Sequence, residues 1–151
     1  MTDITSIPAL RDKVGQEIAV SDWFEVTQER INQFADATGD HQWIHVDPVR
    51  AATDSPFHTT IAHGFLTLSL VSTLARSAMR FPPMKLAVNY GVNRVRFVSP
   101  VPAGGRVRAR FTPSAVDEAG GGIQVTWTAT IELEGNAKPS CVAEWIVRYY
   151  V

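Results

Sequence analysis

All four histidines of the chain lie between positions 41 and 63. Asp40 precedes His45 by five residues, in a segment rich in glycine, aspartate and proline. A carboxylate beside an imidazole can transfer protons near neutral pH, so the two side chains could converge on one water molecule. The structural alternative is that Asp40 caps the turn after Gly39 and that His45 is a buried histidine with satisfied hydrogen bonds.

A second candidate group follows at Ile61-Ala62-His63-Gly64, where an apolar helix is expected to begin. The first amides of a helix lack intrahelical partners and lie at the positive end of its dipole. The Gly64 amide could therefore stabilise a developing oxyanion. Alternatively, Gly64 only permits close packing and His63 only makes a structural hydrogen bond. Ser72, inside the helix, is expected to bond back to a carbonyl.

Metal binding is the next possibility, because His41 and His45 with Asp47 or His63 supply ligand types that zinc accepts. The two histidines nevertheless lie in a loop, with no cysteine nearby. Asp47 before Pro48 is explained as a helix cap followed by proline at the first helical position. We therefore predict no metal site.

Five arginines between positions 94 and 110 lie on the polar face of two predicted strands. A solvated face explains them, and contact of Arg94 or Arg96 with the phosphates of a nucleotide-bearing ligand is the alternative. No aromatic residues alternate with these arginines and the net charge is −1, so a nucleic-acid partner is not predicted.

The pattern along the chain predicts the elements that must position these groups. We expect a strand over residues 18–24, a helix from the Thr27 cap to about Ala37, and a short helix over 48–52. Residues 64–79 are apolar nearly all round, which predicts one helix that is buried on most faces. From residue 94 onward the pattern has period two, with turns at 100–105, 117–122 and 134–139. An apolar helix against antiparallel strands, each with one buried and one wet face, is an α+β arrangement.

Length and composition fit one domain spanning residues 1–151, with 45% apolar and 19% charged residues. The single cysteine, Cys141, rules out an internal disulfide and is expected to be a buried, inert thiol. No signal peptide and no run of about 18 apolar residues is visible, so no membrane association is predicted. A cytoplasmic protein is the expectation.

The sequence resembles the MaoC-like dehydratases over roughly residues 15–150. Three segments carry the resemblance: Gly39-Asp40-x4-His45-x-Asp47-Pro48, Ile61-Ala62-His63-Gly64-Phe65-Leu66, and Asn89-Tyr90-Gly91-x-Asn93-x-Val95-x-Phe97-x-x-Pro100-Val101. The resemblance implies a hot-dog fold, in which an antiparallel β-sheet wraps a long central helix. It also implies a homodimer with sites near the subunit interface.

The activity implied is (R)-specific hydration of trans-2-enoyl-CoA, with coenzyme A as part of the substrate and no metal or redox cofactor. By position, Asp40 and His45 match the catalytic pair and Gly64 the amide that faces the thioester carbonyl. Ser72 matches a serine that supports the catalytic acid. Trp43 departs from the family pattern, since many members carry Asn-Pro where this chain has Gln42-Trp43, and could reshape the acyl pocket.

Three other functions stay open at this point. Many hot-dog thioesterases place a carboxylate on the central helix, and residues 64–79 contain none. A non-catalytic acyl-thioester binding module would not need the pair of Asp40 and His45. A metal hydrolase would need the histidine cluster as ligands.

Overall fold

The computed structural model describes residues 1–151, and its sheet follows the predicted alternation over the last third of the chain. A short 3-10 helix covers Pro8–Lys13. The helices are α1 (Gln28–Thr38), α2 (Trp43–Val46), α3 (Pro48–Asp54), α4 (Gly64–Ser69) and α5 (Val71–Ala78). The strands are β1 (Thr2–Asp3), β2 (Ala19–Val20), β3 (Phe24–Val26), β4 (Met79–Arg80), β5 (Leu86–Phe97), β6 (Gly105–Ala119), β7 (Gly122–Leu133) and β8 (Pro139–Tyr150).

The main sheet runs in the order β2-β6-β7-β8-β5, all antiparallel, and β3 pairs with β6 beyond β2. Strands β6, β7 and β8 alternate buried and half-exposed residues, as period two predicts. The predicted turn at 117–122 is much tighter than expected. Only Gly120 and Gly121 form the turn between β6 and β7. Their φ angles are 60° and 76°, which glycine adopts without strain.

The single strand predicted over residues 18–24 is wrong, because the chain forms β2 and β3 separately. Ser21 interrupts the pairing with β6: its hydroxyl accepts a hydrogen bond from the Ala109 N–H at 2.8 Å. Five residues on this side, from Val20 to Phe24, then lie opposite four on β6, from Arg110 to Val107.

The helix predicted over residues 64–79 is confirmed as a helical rod of two segments, α4 and α5. The hydrogen bonding is irregular where they meet, and the rod ends at Ala78. Leu70 joins α4 to α5 with helical backbone angles, and its N–H is shared between the carbonyls of Leu66 and Thr67. The Ser69 hydroxyl donates to the Phe65 carbonyl at 2.6 Å, a back-bond that commonly bends helices. Met79 is already extended and pairs with Thr2.

The rod packs against strands β6 and β8 of the sheet, around one core of 27 buried residues. Trp127, Phe111 and Leu74 are among its largest fully buried side chains. The burial prediction fails on one face of the rod, because Phe65 is 68% exposed. It also fails for β5, most of whose residues are exposed on both faces.

Candidate active site

The α2 turn and the segment before α4 hold His45 in a defined tautomer. His45 is buried, and its Nδ1 lies 2.7 Å from the carbonyl oxygen of Ile61. Because a carbonyl only accepts, Nδ1 carries the hydrogen and Nε2 keeps a free lone pair in the neutral ring. Burial lowers the pKa of His45, and the neighbouring His63 lowers it further, although the bond to Ile61 and the Asp40 charge oppose this. His45 is therefore a neutral base at pH 7.

Asp40 follows directly on the end of α1, where Gly39 adopts a left-handed conformation with φ of 79°. One Asp40 carboxylate oxygen and one ring nitrogen each of His45 and His63 lie within 4.8 Å of one another. A water molecule with two hydrogen bonds of about 2.8 Å at a tetrahedral angle spans about 4.6 Å between its partners. The acid and the imidazole are thus spaced to share one water.

His63 contacts both members of this pair. Its Nε2 lies 2.9 Å from the backbone carbonyl oxygen of Asp40, so Nε2–H donates there. Its ring stacks on His45 with centroids 3.9 Å apart, and Phe34 packs on it at 4.9 Å. The Nδ1 of His63 is buried without a partner. The structural hydrogen bond that the sequence suggested is therefore present, and it acts on the segment that carries Asp40.

The cluster of Asp40, His45 and His63 has metal-ligand chemistry but an unsuitable geometry. Lone pairs of imidazole nitrogens lie in the ring plane, and the two rings are stacked only 23° from parallel. Two such lone pairs cannot both point at an ion about 2.1 Å away. One ring would have to turn and break its bond to the Ile61 or Asp40 carbonyl. The arrangement suits a shared water better than an ion.

Gln28, on the first turn of α1, is a positioning residue that the sequence reasoning missed. Its Nε2 donates to the His45 carbonyl at 2.7 Å, and its Oε1 accepts a hydrogen bond from the Thr60 hydroxyl. The Ile61 N–H also donates to the Ile44 carbonyl. These bonds join the two loops that bring His45 and His63 together. The sequence does not reveal them because His45 and Thr60 lie 17 and 32 residues from Gln28.

A cavity of about 290 Å³ opens beside this cluster. Its wall includes His45, Gly64, Phe57, Phe97 and Ser140. A Cβ atom at Gly64 would lie 2.9 Å from the Phe97 ring, so close packing does require glycine there. As the first residue of α4, Gly64 also has no intrahelical partner for its N–H. Both suggested roles of Gly64 are therefore compatible with the structure.

Ser72, which the resemblance implies, and Trp43, which departs from the family pattern, lie elsewhere. Ser72 receives a hydrogen bond from the Asn89 amide at 3.4 Å and lines a second cavity of about 270 Å³. It makes no hydrogen bond to Asp40 of the same chain, and eight residues of helix place it about 12 Å along the rod from Gly64. Trp43 stacks under the Arg50 guanidinium at 4.2 Å and does not line the 290 Å³ cavity.

The arginines divide into two groups. Arg106, Arg108 and Arg110 form ion pairs with acids of neighbouring segments: Glu134, Glu132 and Glu17. Arg94 is 84% exposed with Glu144 only at 3.9 Å, and Arg96 has no carboxylate partner. Arg94 also has a φ of 49°, within an irregularity of β5 between Asn93 and Arg96. Of the two less engaged arginines, Arg96 directly precedes Phe97 of the cavity wall and Arg94 lies three residues before it.

The remaining predicted residues take structural or surface positions. Asp47 accepts from the Arg50 N–H and caps α3, as predicted. His41 is exposed, and its hydrogen bond to Asp36 raises its pKa. His58 is an exposed loop residue with φ of 56°. Cys141 is buried, as predicted, and unpaired, and burial raises its thiol pKa to about 11.

The fold and the site define an enzyme class: a helix held in an antiparallel sheet, with an acid and a neutral imidazole beside a cavity at the helix start. Comparison with known proteins narrows this class. Residues 10–135 match the family described as the MaoC like domain. The chain is 53% identical over 150 residues to 3-hydroxyacyl-thioester dehydratase Z of Mycobacterium tuberculosis, covering 99% of both proteins. It is 48% identical over 143 residues to Nodulation protein N of Rhizobium leguminosarum bv. viciae, covering 93% of this chain and 89% of that protein.

Among solved structures, the (R)-hydratase from A. caviae involved in PHA biosynthesis superposes with a TM-score of 0.71 at 28% identity, over 89% of this chain and 94% of that one. The chain belongs to the MaoC-like dehydratase family and has its hot-dog fold. It is an enzyme of the hydratase and dehydratase class. None of its helices has the length and apolar character needed to cross a membrane.

Proposed function

We propose that the protein catalyses the (R)-specific hydration of trans-2-enoyl-CoA to (R)-3-hydroxyacyl-CoA, and the reverse dehydration. The observation that carries the proposal is the convergence of Asp40 and His45 within 4.8 Å beside the cavity that Gly64 lines. The names of the relatives support it, since one is a 3-hydroxyacyl-thioester dehydratase and another an (R)-hydratase.

The chemistry follows from the protonation state of the pair. Asp40 and His45 hold one water, and the neutral His45 accepts its proton through Nε2 as the oxygen attacks C3. The pair then returns a proton to C2 on the same face, so that water is added without any other reactant. Negative charge develops on the thioester oxygen as an enolate, and the Gly64 amide donates to it. The reaction is redox-neutral and requires no cofactor.

Incubation of the protein with crotonyl-CoA tests this activity. Hydration lowers the absorbance of the enoyl thioester, releases no free thiol, and gives the (R)-3-hydroxy product by chiral chromatography. Release of free thiol would instead identify a thioesterase, and no change in either signal would identify a binding module. Either of these two results would refute the proposed reaction.

Coenzyme A is the proposed carrier because Arg94 and Arg96 precede the cavity residue Phe97 on strand β5 and have weak or no carboxylate pairing. Guanidinium groups of this kind bind phosphate oxygens well. Replacing both by glutamine should raise KM for crotonyl-CoA and leave KM for crotonyl-pantetheine, which lacks the nucleotide, unchanged. Equal effects on the two substrates would contradict the assignment.

A homodimer is the proposed assembly. Strand β5 pairs only with β8, which leaves a 12-residue edge that exposes apolar side chains: Leu86, Val88, Tyr90 and Val92. Long apolar edges invite pairing, and a two-fold axis would remove one edge from each chain. Light scattering should give twice the chain mass at micromolar concentration, whereas a mass of 16.6 kDa would contradict the dimer.

We also propose that residues 1–151 form one domain that works in the cytoplasm. The single hydrophobic core supports the first statement, and the free buried thiol of Cys141 suits a reducing compartment. Cell fractionation tests the location.

A further inference from the structure

Ser140 breaks the alternation of strand β8. From Cys141 to Tyr149 every second residue points into the core, so position 140 should face outward, yet Ser140 is only 1% exposed. The pairing with β7 is shifted at this point, since Ile131 faces Cys141 whereas Glu132 faces Pro139. Ser140 is therefore the extra residue of a β-bulge. Bulges of this kind redirect side chains and are frequent beside active sites.

Ser140 belongs to the wall of the cavity that His45 and Gly64 also line, and its buried hydroxyl has no hydrogen-bond partner. The other two hydroxyls of the wall are engaged: Ser99 donates to the Pro139 carbonyl at 2.8 Å, and the Thr67 hydroxyl lies 3.5 Å from the His63 carbonyl. A buried hydroxyl without a partner destabilises a fold, and most buried polar groups are paired. We explain an unpaired hydroxyl on a bulge in a cavity wall by a ligand that it meets there.

The position of Ser140 indicates which part of the ligand it meets. The Val98 N–H donates to the Ser140 carbonyl at 3.0 Å, and the ring of Phe97, the preceding residue, lies against Gly64. Ser140 and Gly64 therefore both border the two-residue segment Phe97-Val98, which also lines the cavity. A tetrahedral or enolate oxygen is commonly held by two donors.

We propose that the Ser140 hydroxyl is the second donor to the thioester carbonyl oxygen of the substrate, opposite the Gly64 amide. This inference rests on the proposed hydratase function. It makes Ser140 a catalytic residue that strengthens its hydrogen bond as charge develops on that oxygen.

The variant Ser140→Ala tests the proposal, with Cys141→Ala as a matched control on the same strand. Cys141 is also buried and points into the core, but it does not line the cavity. Steady-state kinetics with crotonyl-CoA and thermal unfolding are measured for the wild type and both variants.

For Ser140→Ala we expect kcat to fall by about 10²-fold with little change in KM, because the donor acts mainly on the charged transition state. Its Tm should be unchanged or higher, since the hydroxyl that is removed has no partner to lose. Cys141→Ala should show the opposite pattern, with a lower Tm from lost packing and a kcat close to that of the wild type.

A kcat of Ser140→Ala within twofold of the wild type would overturn the proposal. A rise in KM alone would overturn it as well, because it would place the hydroxyl on another part of the substrate. A wild type without hydratase activity would instead refute the proposed function itself, so the two failures are distinguishable.

Discussion

His63 makes two contacts that substitution can remove separately. The Nε2–H bond to the Asp40 carbonyl, at 2.9 Å, is the only hydrogen bond to that carbonyl, and the ring stacks on His45. His63→Phe keeps an aromatic ring for stacking but has no donor. His63→Gln keeps a side-chain N–H donor of similar reach but has no ring.

The expected loss for His63→Phe follows from the freedom that Asp40 gains. One neutral hydrogen bond contributes about 1 kcal/mol, which alone is about fivefold in rate. A displacement of about 1 Å in a reacting group can lower the rate by about 10²-fold. We therefore expect kcat to fall between about 5-fold and 10²-fold with KM little changed. The crotonyl-CoA assay measures both constants.

His63→Gln should retain most of kcat and shift the pH profile instead. His63 lowers the pKa of His45, so its removal should raise that pKa towards the ordinary histidine value. The acidic limb of kcat/KM, where His45 becomes protonated, should then move to higher pH. An unchanged kcat in His63→Phe, or an unchanged acidic limb in His63→Gln, would refute the positioning role. Thermal unfolding of both variants controls for loss of the fold.

Three further predictions concern packing, pH and the thiol. Gly64→Ala should destabilise the protein by about 1–3 kcal/mol, and by less in a Phe97→Ala background, as urea unfolding of the double-mutant cycle can show. Because the folded-state pKa of His45 is lowered, the unfolded chain binds more protons below pH 6.5. The free energy of unfolding should therefore decrease there by at most about 1.4 kcal/mol per pH unit, and less steeply in His45→Gln. Cys141 should resist iodoacetamide at pH 8 until the protein is unfolded, since its pKa is about 11.

The sequence predicts most of the sheet because its rule is local. Alternation in β6, β7 and β8 depends only on which face of each strand meets the core. The same rule fails at Ser21 and Ser140, where the register changes. The alternation of apolar residues does not show a bulge or a hydrogen bond to a serine hydroxyl, so neither could be predicted from it. It also fails for β5, most of whose apolar residues are exposed in the single chain.

The site divides in the same way. Asp40, His45 and Gly64 are found from residue types and close spacing, and the structure brings Asp40 and His45 together beside the Gly64 cavity. Gln28 and Ser140 are missed because they lie far away in the chain and reach the site only through tertiary contacts. Spacing also cannot distinguish a structural from a functional histidine, whereas the bonds of His63 show what it holds.

The most direct test of the central claim is single-turnover hydration of crotonyl-CoA by Asp40→Asn and His45→Gln. Each variant replaces one proton-transferring group of the pair by an amide, which can bind water but cannot take up its proton, and proton transfer of this kind contributes about 10²–10⁴-fold to rate. The account predicts losses in that range with retained binding of the substrate and an intact fold by circular dichroism. A rate within a few-fold of the wild type in either variant would contradict it.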